Sequence, residues 1–358
     1  MKILILKFKT IGDVLLITPL ISNLKQYYQN SAIDVAINYG TEQMLTGNLN
    51  VNQLIIYNRE EIKNKPIASK IYNEYLFLQK IRVNKYDMVI DLDQGDRGAL
   101  ISKYSRANIK IGSTGVKSKL VKNTYTHFLP EKGVRHIVET NLDPLRVLNI
   151  PIKSKKVEIF WDKEDVGKLN RIFFITEKFI HIHPFSKVKN KELDVLVLSK
   201  IIDFCENTLK VKVVITAAPI KRELEQVKKI SLSCDSNPIN LGGKLTLKQI
   251  AILNKKSKLF IGVDTAIMHL SAANSTPVLA FFGPTSPDIW GPWDNDVGHA
   301  DFHRNGGIQI DRKHRVFSDR RDCLPCNNRG CNNTNISDCL MFLDINVIKK
   351  NIQEMLNE

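Results

Sequence analysis

An apolar run, Phe260-Ile261-Gly262-Val263, leads straight into Asp264-Thr265-Ala266, after which Ile267-Met268-His269-Leu270 takes up helical spacing. Where a strand turns into a helix, the first N–H groups lack internal partners, and the summed peptide dipoles place about half a positive charge there. Phosphate is favoured at such a start, so Asp264, Thr265 and Ala266 form a candidate anion site to which Thr265 adds a hydroxyl. The chain opens in the same way: residues 2–8 read as a buried strand, Gly12 permits a tight turn, and Asp13 lands at the sheet mouth. An aspartate there serves either as a helix cap or as a general base. Asp91-Leu92-Asp93 places two carboxylates on one side of a strand end, a pattern that other enzymes use for divalent metal.

These residues need a scaffold that repeats strand, turn and helix. Residues 32–38, 53–57, 85–91 and 108–112 are strand-like, whereas 69–83, 97–107 and 136–148 are helix-like, with Pro144 breaking or starting the last. Lysine-rich residues 151–162 read as a crossing, after which the alternation restarts. Strands are expected at 179–184, 211–217, 238–241 and 277–284, and helices at 193–208, 221–233 and 247–255. The pattern is parallel α/β in two domains, residues 1–160 and 161–358, a division natural for 358 residues. No Gly-x-Gly-x-x-Gly follows the first strand of either half, which speaks against a dinucleotide-dependent dehydrogenase.

The net charge of +15 points to a polyanionic partner. Nine cations lie between Arg97 and Arg135, Lys117, Lys119, Lys122 and Lys132 among them, against Glu131 alone. Zinc-finger spacing and RNP-type aromatic strands are missing, so nucleic acid is disfavoured and an anionic lipid headgroup or phosphorylated sugar is preferred. The N-terminal apolar run is broken by Lys7, Lys9 and Asp13, unlike a signal peptide, and no stretch is long enough to span a bilayer. A cytoplasmic location is expected. Four of the six cysteines, Cys323, Cys326, Cys331 and Cys339, follow a spacing that could ligate zinc or an iron–sulfur cluster; reduced or redox-labile thiols are the alternative. Cys205 and Cys234 read as small buried hydrophobes.

Lys7-x-x-x-x-Gly12-Asp13-Val14-Leu15-Leu16-x-Thr18-Pro19, Gly262-Val263-Asp264-Thr265-Ala266-x-x-His269-Leu270 and Phe282-Gly283-Pro284-Thr285-x-Pro287 together resemble the bacterial heptosyltransferases of glycosyltransferase family 9. The resemblance spans nearly the whole chain. It implies a GT-B fold, two Rossmann-like domains facing a central cleft, with the acceptor on the first and the nucleotide sugar on the second. It also implies inverting transfer of heptose from ADP-heptose to the lipopolysaccharide inner core, with Asp13 as base.

Donor-side residues implied by the resemblance are Ser186, Lys189, Gly242, Gly243, Asp264, Thr265, Ala266 and His269. Lys189 is the best match to the family lysine, although Lys187 and Lys191 stay open because the tryptophan that usually follows is missing. Glu223 is a weak counterpart of the acidic residue that holds the ribose. On the acceptor side, residues 94–98 and 135–143 are similar to the heptosyltransferase III branch and single out Arg97, Arg135 and His136. No cofactor and no catalytic metal are implied, so Asp91 and Asp93 are given a structural or acceptor-shaping role. The implied partners are ADP-heptose, an acidic lipid A–core acceptor and the anionic inner-membrane surface, met from the cytoplasmic face. The alternatives are another nucleotide sugar or glycan acceptor, and, in a different class, a non-catalytic nucleotide- or lipid-binding module.

Overall fold

A computed structural model describes Met1 to Glu358 except Gln94, Lys132, Ile175, Asn305, Phe342 and the side chain of Asn333. The chain divides into two compact units, Met1–Phe160 and Trp161–Glu358.

In the first unit six strands, β1 (Lys2–Lys7), β2 (Ala32–Asn38), β3 (Gln53–Tyr57), β4 (Met88–Asp91), β5 (Ile109–Gly112) and β6 (His127–Phe128), form a parallel sheet of order β3-β2-β1-β4-β5-β6. Its central strands are apolar throughout because crossover helices cover both faces; Ile3, Leu4, Ile5 and Leu6 are fully buried. Residues 136–148 form two short helices, Ile137–Asn141 and Asp143–Val147, with Pro144 in the first turn of the second, where its missing N–H costs nothing. Asn23 closes the unit by bonding the backbone of Lys153 and Ser154.

The second unit holds β7 (Phe179–His183), β8 (Lys212–Ile215), β9 (Ile239–Asn240), β10 (Leu259–Val263), β11 (Val278–Phe282), β12 (Gly307–Asp311) and β13 (His314–Ser318) in the order β12-β13-β11-β10-β7-β8-β9. All pairs are parallel except the β12–β13 hairpin. The helix Val195–Asp203 continues as a π turn through Thr208, so the expected helix over 193–208 is present with a widened end. The C-terminal helix Ile345–Asn357 buries Ile348, Ile352 and Met355 in the core beside Leu198, Ile201 and Ile202. Arg315 on β13 pairs with Glu354 and Glu358 and fixes that helix.

Each sheet reverses its strand order once, between β1 and β4 and between β7 and β10. Ligands of open α/β sheets bind outside the carboxyl ends of strands at such reversals.

Candidate active site

At the β1/β4 reversal, Lys7 ends β1 with its ammonium nearly buried, and Asp13 lies in the first turn of the helix Ile11–Leu15. The Asp13 carboxylate accepts from the Thr10 hydroxyl (2.6 Å) and backbone N–H (3.2 Å), and its other oxygen lies 3.8 Å from Lys7 Nζ. Asp13 therefore caps its helix and keeps one oxygen toward a buried cation. Lys7 Nζ also donates to Asn141 Oδ1 at 3.3 Å, and Asn141 donates to the Leu16 carbonyl. Neither Lys7 nor Asn141 stood out in the sequence as a site residue. The Lys-x-x-x-x-Gly-Asp spacing was the available signal for Lys7.

Asp91 is fully buried at the end of β4, accepting a short hydrogen bond from the Tyr125 hydroxyl and another from the Asp93 N–H (2.9 Å). Burial raises its carboxyl to about 6, with both hydrogen bonds working against the rise. A Cβ on Gly98 would fall 2.0 Å from Asp91 Oδ2, so glycine is what admits the carboxylate beneath the helix Asp96–Ser105. Asp93 accepts from the Phe8 N–H at 2.5 Å. The pair thus ties the two strand ends together.

The acceptor-side candidates are each engaged within the unit. Arg97 stacks its guanidinium 3.6 Å from the Tyr57 ring centroid and 4.7 Å from that of Phe8, with Glu74 3.6 Å away. Arg135 forms a two-pronged pair with Asp143 (2.7 and 3.1 Å). His136 is buried and caps the helix Ile137–Asn141 by accepting from the Val138 N–H. Lys117, Lys119 and Lys122 are exposed; Gln94 and Lys132 lie outside the described residues.

At the β7/β10 reversal the segments after β7 and β10 carry Ser186, Lys189, Asp264, Thr265, Ala266 and His269, whereas Gly242 and Gly243 follow the edge strand β9. Asp264 follows β10 and Thr265 is the N-cap of the helix Ala266–Ala273, with extended backbone angles and a buried hydroxyl that has no hydrogen-bond partner among the described residues. Asp264 accepts from Lys191 Nζ and from the Thr285 hydroxyl, both at 2.6 Å. His269 is buried one turn into the helix, its ring 6.4 Å from that of Trp290. Lys189 and Lys187 are exposed, so the lysine that the fold brings to the helix start is Lys191. The turn Lys189–Lys191 makes this choice.

Ser186 is held by its backbone, donating to Glu192 Oε1 (3.1 Å) and accepting from Arg222 (2.7 Å). Glu223 is buried, accepting from the Ala218 N–H and pairing with Arg222, so it shapes the loop after β8. Gly243 has φ +70°, and a Cβ there would lie 3.3 Å from Pro219 Cα, which restricts that turn to glycine. Gly242 donates to Asn240 Oδ1. Beneath the site, Thr216 Oγ1 bonds both His181 Nε2 (2.7 Å) and His183 Nδ1 (2.9 Å). Burial lowers these histidines to about 4 and about 3, so both stay neutral.

Two doubly wound units, each with its polar groups at the strand-order reversal, give the GT-B fold. The chain belongs to glycosyltransferase family 9: the family described as "Glycosyltransferase family 9 (heptosyltransferase)" matches residues 75–318. Lipopolysaccharide heptosyltransferase 3 of Escherichia coli is 31% identical over 294 residues, 80% of this chain and 84% of that protein. Among solved structures the E. coli heptosyltransferase WaaC with ADP has a TM-score of 0.74 at 18% identity, covering 99% of this chain and 100% of that one. A glycosyltransferase family 9 protein from Veillonella parvula has a TM-score of 0.71 at 23% identity, over 82% and 83% of the two chains. The expectation of a glycosyltransferase therefore holds over that of a non-catalytic binding module.

Proposed function

We propose that this chain transfers heptose from ADP-heptose to the inner-core oligosaccharide of lipopolysaccharide, with inversion at the anomeric carbon and without a catalytic metal. The observation that carries the donor half is the Lys191 ammonium bonded to Asp264 just before the helix Ala266–Ala273, whose N-cap Thr265 has a hydroxyl with no partner among the described residues. A cation, a hydroxyl and unpaired N–H groups in one place suit a diphosphate leaving group. Gly242 and Gly243 let the backbone approach the adenosine, and Ser186 and His269 border the same strand ends.

In the acceptor half, Asp13 takes the proton of the acceptor hydroxyl as that oxygen attacks the anomeric carbon. The bond from that carbon to the phosphate oxygen breaks, and ADP leaves with the electron pair, its charge met by Lys191 and the helix N–H groups. Lys7, itself bonded to Asn141, orients the Asp13 carboxylate from 3.8 Å. Residues 1–160 are assigned to the acceptor and 161–358 to the donor.

The acidic lipid A–core acceptor suits the exposed Lys117, Lys119 and Lys122. Peripheral contact with the cytoplasmic face of the inner membrane is supported by the helix Ile67–Val83, which exposes Ile67, Ile71, Tyr72 and Tyr75 near Lys63 and Lys70. Among the described residues no helix is long and apolar enough to cross a membrane. Arg97, Arg135 and His136 are assigned to shaping the acceptor surface through the contacts described above.

The test is mass spectrometry of a truncated lipopolysaccharide acceptor after incubation with the pure protein and ADP-heptose, UDP-glucose or GDP-mannose. A gain of one heptose from ADP-heptose supports the reading; transfer from another donor alone replaces it with a different nucleotide sugar.

A further inference from the structure

Cys323, Cys326, Cys331 and Cys339 lie in a stretch whose only regular elements among the described residues are the one-turn helices Cys331–Asn333 and Asp338–Leu340. Its path relies on left-handed backbone at Asn327, Gly330, Asn332 and Asn335. Such a segment has little core of its own with which to offset the entropy of ordering. All four cysteines nevertheless line one cavity of about 210 Å3, together with Arg321 and Asn328, and none forms a disulfide. That volume is several times the ~30 Å3 share of one water, enough for an ion and the turning of thiol side chains. Among the described residues no three ligand side chains already stand at metal-binding geometry, so closing the site requires those rotations.

The same stretch touches both loops of the proposed donor site. Asn327 and Asn328 fall between Cys326 and Cys331. The Asn327 N–H donates to the Pro284 carbonyl at 2.8 Å, immediately before Thr285. The Asn328 carbonyl accepts from Asn190 Nδ2 at 2.7 Å, immediately before Lys191. A Cβ on Gly283 would lie 3.5 Å from Cys339 Sγ, which shows how closely the strand end approaches the thiol cluster.

We propose that Cys323, Cys326, Cys331 and Cys339 bind one soft divalent ion, zinc or ferrous iron, as a tetrahedral tetrathiolate, and that this clip fixes the two loops carrying Lys191 and Thr285. Binding displaces the four thiol protons and leaves a site of net charge −2, which Arg321 at the cavity wall partly offsets. The ion binds no substrate. Its effect on the donor runs through Asn327 and Asn328, and that part rests on the donor site proposed above.

Elemental analysis of full-length protein, purified without oxygen from cells supplied with zinc and iron salts, tests the site and identifies the ion. About one equivalent of zinc or iron per chain is expected, falling at least tenfold in Cys326→Ser/Cys331→Ser. Cobalt(II) added to metal-stripped wild type should give the strong visible bands of tetrahedral thiolate cobalt, a readout that does not depend on the variant folding. Substoichiometric metal together with four thiols that react freely, or that map as disulfides, overturns the site. Calorimetric titration with ADP then tests the coupling, with roughly tenfold weaker binding expected for stripped protein and recovery on adding back the ion. Unchanged ADP affinity in stripped protein, with Lys191→Ala still weakening it, overturns the clip alone; unchanged affinity in both overturns the donor-site reading and leaves the metal result standing.

Discussion

Lys191 Nζ stands 2.6 Å from Asp264 Oδ2, joining the loop after β7 to the loop after β10 across the point where the strand order reverses. Asp264 is nearly buried and receives the Thr285 hydroxyl as well, so the ammonium is held at the helix start by a carboxylate that is itself fixed. A phosphate bound there, as proposed, would meet the cation already in place.

Lys191→Ala should therefore weaken ADP binding by about 10- to 100-fold, the range for a charge-assisted hydrogen bond of about 1.5–3 kcal/mol. Lys189→Ala and Lys187→Ala, which remove exposed side chains, should change it by less than about twofold. Isothermal calorimetry ranks the three, and a greater loss in Lys189→Ala would return the phosphate to the turn tip.

Asp13→Asn keeps the size and the Thr10 contacts while removing basicity, so kcat should fall about 100-fold or more with ADP affinity unchanged. A purified transfer assay beside an ADP titration separates the two. Near-normal turnover would leave Asp13 as a helix cap only.

Sugar transfer should continue through a brief exposure to excess EDTA, and added magnesium or manganese should not raise it. Asp91 uses both carboxylate oxygens inside the fold, on Tyr125 and the Asp93 N–H, and Asp93 holds Phe8. Rapid, complete loss restored by magnesium would make the pair metal ligands after all.

Stability should fall as pH drops below the ordinary histidine range. Burial holds His181 at about 4 and His183 at about 3, and lowers His314 as well, so the unfolded chain binds protons that the folded one refuses. Their contribution is fully present above the unfolded pKa of ~6.5 and is lost as pH decreases below it. Asp91, raised to about 6, works the other way, because the folded chain gains its proton first. Three histidine protons against one aspartate proton leave two, so these groups should cost about 3 kcal/mol per pH unit near pH 5. Urea unfolding at several pH values measures the slope; a flat profile would mean that the buried histidines are already charged.

Reversing the charge at Lys117, Lys119 and Lys122 should raise the acceptor KM and flatten its dependence on salt, leaving the ADP-heptose KM unchanged. All three are exposed, where contacts with a polyanion are screened over ~8 Å in physiological salt. Acceptor binding equal to wild type at low salt would reduce the cluster to a solvated surface.

The strands β1, β10 and β11 were legible in the sequence because parallel strands covered on both faces are apolar without interruption. The hairpin β12–β13 was not, since its turn residues Arg312 and Lys313 carry no glycine or asparagine signal and Arg312 takes φ +54° unaided by its residue type. The sequence by itself determined two α/β halves, an aspartate at the first turn and a strand-to-helix turn at Asp264–Ala266, because each is written within a dozen consecutive residues. Tertiary structure alone decided which of three lysines meets Asp264, that Lys7 reaches Asn141, and that the cysteine loop bonds to the loops after β7 and β11. Those pairs lie 73, 134 and, for Asn190 with Asn328, 138 residues apart, and no local periodicity records a contact across such distances.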